Sequence, residues 1–417
     1  MTKSAPASLD SLAHDYVCLA LHLHNHDPIP FIYTGDPALR AEIQSAKRPL
    51  PALETECQVL SKNLQEHDVA SGEWKRRALL ADRVDALIMR AGILQGRFPS
   101  SYDEEVETLY SVRVPTYSED HFCALAADLN EVIPGTGALP DRMAAFREAF
   151  RVPQDRVEAV LRPTLEEARR RTHTHLSLPQ DEAITLKMNN IGDFGAYAEY
   201  LGRGKTNVHF STSLPFYVDR AVELCAHEAY PGHHVQATLM EAELINKRGW
   251  AEWTMLPLFG GHTVVAEGAA NYGVSLSFSK QDRIAYDRDV VLPIAGLSHL
   301  SGQLDAFHRY VDLVEQLNFA RNEAGRRYLF GDWDRDRTLA WLMEFGLETR
   351  EIAEQRMTLI EAMRGYSITY NYGLDWVRDQ IEHGQTQGTQ EKWSGLQKLF
   401  EDPIIPIRAR WALDEGA

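Results

Sequence analysis

Apolar residues recur at helical spacing through most of the first 175 positions. "SLDSLAHDYVCLALHL" opens with a serine suited to capping a helix, and its apolar residues return every three or four positions. "ALRAEIQSAK", "ALETECQVLSKNLQEH" and "EWKRRALLADRVDALIMRAGILQG" repeat the pattern, each stopped by Pro or Gly. Further helices are predicted at "DEEVETLYSV", "EDHFCALAADLNEVI", "DRMAAFREAF" and "PQDRVEAVLRPTLEEARRRTH", the last with a proline inside it. "PGTGALP", from Pro134 to Pro140, is the strongest internal punctuation. After His175 the texture changes. "EAITLKM", "GAYAEYL" and "TNVHFST" are short, β-rich and separated by Asn, Gly and Lys, which predicts a small antiparallel meander over residues 182–213. From "PFYVDRAVELCAHEAY" onward the pattern is helical again. The expected fold is mostly α, with one small antiparallel sheet just before a His-Glu helix. The expected division is an N-terminal helical region at 1–175 and a site-bearing region at 176–417, with one continuous domain around a central cleft as the alternative.

Composition narrows the class. A chain of 417 residues can bury a sizeable core, and 44% hydrophobic with 25% charged residues describes an ordinary globular protein. The net charge of -17 argues against nucleic acid or an anionic membrane as partner, because both need basic patches. Cys18, Cys57, Cys123 and Cys225 form no C-x-x-C pair, so a disulfide framework is not expected and a reducing cytoplasm fits. "MTKSAPASLDSLAHDY" carries acids where a signal peptide needs an apolar run, and "VCLALHL" is too short to span a bilayer.

The candidate chemistry lies in "CAHEAYPGHHVQA", Cys225 to Ala237. A hydrolytic zinc site needs two imidazoles, a third ligand, an open position for water and a carboxylate beside that water. Histidines four apart on a helix rise about 6 Å and nearly share a face. Here His227 is followed by His233 and His234. Seven apart would rise about 10 Å, and six apart would point away, so no straight helix makes this site. Pro231 and Gly232 resolve the difficulty: proline removes a donor, glycine tolerates unusual dihedrals, and a bulge of two residues brings His233 to the second ligand position. His233 is the expected ligand and His234 a supporting or substrate-facing group, with the reverse assignment open. Downstream, "HTVVAEGAANYG" places Glu267 in an apolar helix, where a buried acid needs a partner that a metal supplies.

"HEAYPGHHVQ" followed by "EGAANY" resembles the bacterial family catalogued as domain of unknown function 885. It is similar to the helical zinc peptidases of the thermolysin-like clan that use a Glu third ligand. The matching residues are His227, Glu228, Pro231, Gly232, His233, His234, Gln236, Glu267, Gly268, Ala270 and Tyr272. In "RGYSITYNYG", Gly365, Tyr370 and Gly373 match a C-terminal segment of the family. Ala269 stands where the family has tryptophan, Arg364 where it has proline, and Tyr366 where it has glutamine. The likeness covers residues 206–373. It implies a helical metallopeptidase-like architecture and one Zn2+ per chain, held by His227, His233 and Glu267.

On that reading Glu228 is the general base and proton shuttle. Glu223, one turn earlier, could accept the other N–H of His227, against a solvated helix acid as the alternative. Tyr370 could donate to a developing oxyanion, against an aromatic packing role. Arg364 could grip a substrate carboxylate, against a surface ion pair. Tyr366 and Tyr272 complete the residues expected around the site. The strand "TNVHFST" could pair with an extended peptide or be a buried structural strand. His22, His24, His26, His173 and His175 read as polar helix ends rather than a second site. The expected activity is hydrolysis of amide bonds in small peptides or peptide-like molecules; the alternative is a non-peptidase metalloenzyme acting on a small metabolite. A small peptide or small molecule is the expected partner, and a homodimer is left open.

Overall fold

The computed structural model describes residues 8–67, 73–192, 194–382 and 388–404. Helices dominate it, as the periodicity predicts. The first runs Leu9–His24, and the Ser8 side chain caps it by accepting from the Ser11 N–H. That bond satisfies one of the donors a helix start leaves unpaired. The opening stretch read for a signal peptide includes residues 1–7, which lie outside the described residues. No helix among the described residues is long and apolar enough to cross a membrane.

The chain divides into two compact units, and the division does not fall after residue 175. One unit comprises Met1–Val114, Leu239–Val265 and Lys398–Ala417; the other comprises Pro115–Thr238 and Ala266–Gln397. In the first unit, Leu9–His24 packs on Leu50–Glu66 and Trp74–Leu94. The segment after the candidate site returns to this unit and is fixed there. Met255–Pro257 pairs antiparallel with Phe31–Tyr33. Buried Glu252 receives the Arg76 Nε and Nη2 donors at 2.9 Å each. Two parallel charge-assisted bonds offset the cost of burying both ions, which neither could bear alone.

The second unit contains every residue of the candidate site. Its long helix Val157–His175 keeps Pro163 inside it and packs along Asp219–Glu228. Phe150 stacks on Phe307 with ring centroids 3.8 Å apart, and Phe146 and Tyr310 close the cluster edge-on.

The sheet is not the expected antiparallel meander. Its strands are Ala183–Asn189, Ala196–Gly202 and Lys205–Ser211, and the third lies in the middle. The first strand runs parallel to the third, with Ala183 opposite Lys205, while the second pairs with it antiparallel. Burial explains the order. The first two strands alternate between half-buried and exposed residues, whereas Thr206, Val208, His209, Phe210 and Ser211 are all buried. A strand covered on both faces belongs in the centre. Both edges of "TNVHFST" are therefore already paired, and the reading in which it adds an extended peptide is corrected.

Candidate metal centre

The His-Glu helix Asp219–Glu228 stops, and a second helix starts at His233 and runs to Met240. Between them, the Gly232 N–H reaches the Ala226 carbonyl at 2.9 Å, and the Val235 N–H reaches that of Ala229 at 3.4 Å. Each bond spans six residues where an α-helix spans four, so two residues are inserted. Regular spacing resumes when the Gln236 N–H meets the Gly232 carbonyl at 2.9 Å. Position 232 has no room for a side chain: a Cβ there would lie 1.7 Å from the His227 carbonyl oxygen. The Pro-Gly insertion thus does what the spacing predicts. It brings the His227 and His233 rings to 4.7 Å between centroids, nearly perpendicular at 89°.

Glu267, on the helix Gly261–Ser277, completes the group. Its Oε2 lies 3.3 Å from His227 Nε2 and 3.6 Å from His233 Nε2. The donor atoms of all three residues lie within 4.8 Å of one another, and no other set of three His, Cys, Asp or Glu among the described residues is so placed. His227 and Glu267 are buried, while the His233 side chain is 23% exposed and forms the accessible side. Glu267 Oε2 is buried and makes no hydrogen bond. Two imidazole nitrogens and a carboxylate oxygen, one of them an orphaned buried acceptor, are a donor set that fits zinc.

The electrostatics favour a cation here. Burial alone would raise the Glu267 carboxyl, but the charges of His233 and His227 hold it well below the usual carboxylate range. Burial alone would lower His227, but the Glu267 carboxylate beside it, with the charges of Glu228 and Glu223, lifts it to about 9. Desolvation raises the Glu228 carboxyl, and His227 and His233 oppose it.

Neighbours fix how the three residues face. The Tyr366 hydroxyl donates to Glu267 Oε1 at 3.0 Å, leaving Oε2 for the histidines. The Asn271 side-chain amide donates to the Tyr370 carbonyl at 3.0 Å, so its Oδ1 must accept from His227 Nδ1, at 2.8 Å. In the neutral ring this places the proton on Nδ1 and leaves Nε2 free. Asn271 was not anticipated, although it lies four residues after Glu267 on the same helix face. The helix carrying both approaches the helix Ile368–Glu382 closely at Gly268, where a Cβ would lie 2.2 Å from the Gly373 carbonyl oxygen.

Several expected residues stand elsewhere. His234 is fully buried and turned from the group, its Nε2 2.8 Å from Glu182 Oε2 and its Nδ1 2.8 Å from Thr206 Oγ1. It can meet neither substrate nor the ligand set, and His233 is the histidine beside His227. Glu223 pairs with Arg220, so the acceptor for His227 is Asn271 instead. Tyr272 points away and donates to Glu382 at 3.0 Å. Arg364 stacks over Phe330 at 5.4 Å from the ring centroid. Ala269 is fully buried. Tyr366 is at the site, but its hydroxyl holds Glu267 rather than substrate. Tyr370 remains beside it, ring centroids 5.6 Å apart, and is 42% exposed.

No protein-family model matches the chain, and no curated protein matches it. Among solved structures, the fold is similar to that of a Colwellia psychrerythraea protein provisionally described as a lipoprotein. The identity is 14% and the TM-score 0.50, covering 86% of this chain and 66% of that one. A Shewanella oneidensis protein of unknown function, also provisionally described as a lipoprotein, aligns at 13% identity and TM-score 0.45 over 88% and 72% of the two chains. The chain thus spans just under two thirds of the length of the Colwellia protein. Likeness at this identity concerns the fold alone.

Proposed function

We propose that the protein is a zinc-dependent hydrolase of amide bonds in small peptides or peptide-like molecules, with one zinc held by His227, His233 and Glu267. The observation that carries this reading is Glu267 Oε2, buried without a hydrogen bond and facing the Nε2 atoms of both histidines. Bound there, zinc would supply Lewis acidity toward a carbonyl and lower the pKa of a water. Glu228 follows His227 directly and on a helix points about 100° from it. Its carboxylate takes the proton of the attacking water as hydroxide adds to the amide carbon, then returns it to the departing nitrogen as the C–N bond breaks. Burial raises that carboxyl, which makes it the stronger base. A phenol is protonated at neutral pH, and the nearby Glu267 charge further favours that form at Tyr370, ready to donate to negative charge developing on the substrate oxygen. Tyr366 and Asn271 reach no substrate; they aim Glu267 and His227.

The same residues support a second reading, a metalloenzyme acting on a small metabolite. The pairing of both edges of "TNVHFST" favours it, since that strand offers no backbone to an extended peptide. Glu228→Gln tests the hydrolytic reading. It keeps size and hydrogen bonding but cannot accept the proton. Zinc content and folding should stay at wild-type level while amide turnover falls at least about 100-fold, the scale of a lost general base. A Glu228→Gln protein that hydrolyses amides at the wild-type rate would remove Glu228 from the mechanism.

A further inference from the structure

We infer that Glu182 is a positioning residue for the metal centre: one carboxylate clamps the Pro231–Gly232 turn from both sides and so fixes where His233 stands. The inference rests on the zinc reading above.

Tyr230 immediately precedes the turn, and its hydroxyl donates to Glu182 Oε2 at 2.6 Å. His234 immediately follows His233, and its Nε2 lies 2.8 Å from that same oxygen. The two residues that bracket Pro231, Gly232 and His233 therefore converge on one atom. The other oxygen, Oε1, is held by Arg169 Nη2 at 2.8 Å and Nε at 3.1 Å, and by His173 Nε2 at 3.1 Å. Both of these belong to the helix Val157–His175. A carboxylate only accepts, so the His234 Nε2 carries its proton. Its Nδ1 then accepts from the Thr206 hydroxyl at 2.8 Å. The ring is held at both nitrogens, and the backbone at His234 with it. Burial opposes ionisation of Glu182, yet the bonds from His234, Tyr230 and Arg169 hold its carboxyl well below the usual range.

The sheet order makes this possible. Glu182 directly precedes the first strand and Thr206 lies near the start of the third, with Ile184 opposite Thr206. In a meander the second strand would lie between them, about 10 Å across two strand spacings. With the third strand central, Glu182 and Thr206 are neighbours and grip one imidazole together. None of these groups reaches the His227, His233 and Glu267 donors, so a purely structural role would affect stability but leave zinc affinity unchanged.

The test is zinc affinity of the full chain, measured by competition with a chromophoric chelator, for wild type, Glu182→Gln, Tyr230→Phe and Thr206→Val. The visible spectrum of each Co2+-loaded protein is recorded alongside. Phe307→Leu, which disturbs the Phe150 stack elsewhere in the same unit, serves as a control for destabilisation alone. Glu182→Gln should bind zinc about 10–100-fold more weakly, the usual effect of losing a residue that orients a ligand, and should alter the Co2+ spectrum. Tyr230→Phe and Thr206→Val each remove one limb and should weaken binding by a smaller factor, which keeps the inference testable if Glu182→Gln does not fold. Phe307→Leu should lower the thermal midpoint with wild-type affinity. Wild-type affinity in all three clamp variants overturns the inference while leaving the zinc reading intact, as does an equal loss in Phe307→Leu. Absence of zinc binding by wild type overturns both.

Discussion

The Tyr366 hydroxyl donates to Glu267 Oε1 at 3.0 Å, and this one bond decides which carboxylate oxygen faces His227 and His233. With Oε1 engaged, Glu267 offers a single oxygen to the group. Tyr366→Phe removes the bond and keeps the ring in its packing. Zinc affinity should fall about tenfold, at the low end for losing such a partner. Competition against a chelator reads this directly. Unchanged affinity would mean that packing alone orients Glu267.

Asn271 makes the equivalent bond for His227. Its amide accepts from Nδ1 at 2.8 Å while donating to the Tyr370 carbonyl. Asn271→Ala frees the ring to take either tautomer and should weaken zinc binding about 10–100-fold. At a pH above about 9, where the metal-free His227 ring is neutral, nitrogen chemical shifts of labelled histidine should show Nδ1 protonated in wild type and a tautomer mixture in the variant. The same tautomer in both would remove Asn271 from this role.

Gly232 carries the geometric burden of the insertion. A Cβ would lie 1.7 Å from the His227 carbonyl oxygen and 2.6 Å from that of Ala226, and backbone atoms cannot swing aside as a side chain can. Gly232→Ala should destabilise the protein by about 3 kcal/mol, the upper end for overpacking, and should abolish stoichiometric zinc. Thermal unfolding and elemental analysis check the two effects. A variant with wild-type stability would show that the turn is looser than its hydrogen bonds imply.

Much of this was legible in the sequence, and the gaps have physical causes. The helices could be read because their spacing is local, and Ser8 caps the first one as its residue type suggests. The pairing of His227 with His233 could be read because Pro231 and Gly232 exclude a straight helix. Glu182 could not be found: its partners Arg169, His173, Thr206, Tyr230 and His234 meet only in the fold. The strand order was hidden for a related reason. A meander is the expectation when only local connections are visible, and the third strand is central because of what covers it. The pairing of Phe31–Tyr33 with Met255–Pro257 is too short and too distant in sequence to leave a pattern. Asn271 alone was within reach, four residues beyond Glu267.

His227, His233 and Glu267 are the proposed ligands of one zinc ion. Anomalous diffraction at the zinc edge, on crystals of the full chain grown with zinc, tests this assignment most directly. One strong peak is expected about 2.0–2.2 Å from Nε2 of His227, Nε2 of His233 and Oε2 of Glu267, with His234 still turned to Glu182. A peak bonded to His234, or no peak at these three residues under saturating zinc, would contradict it.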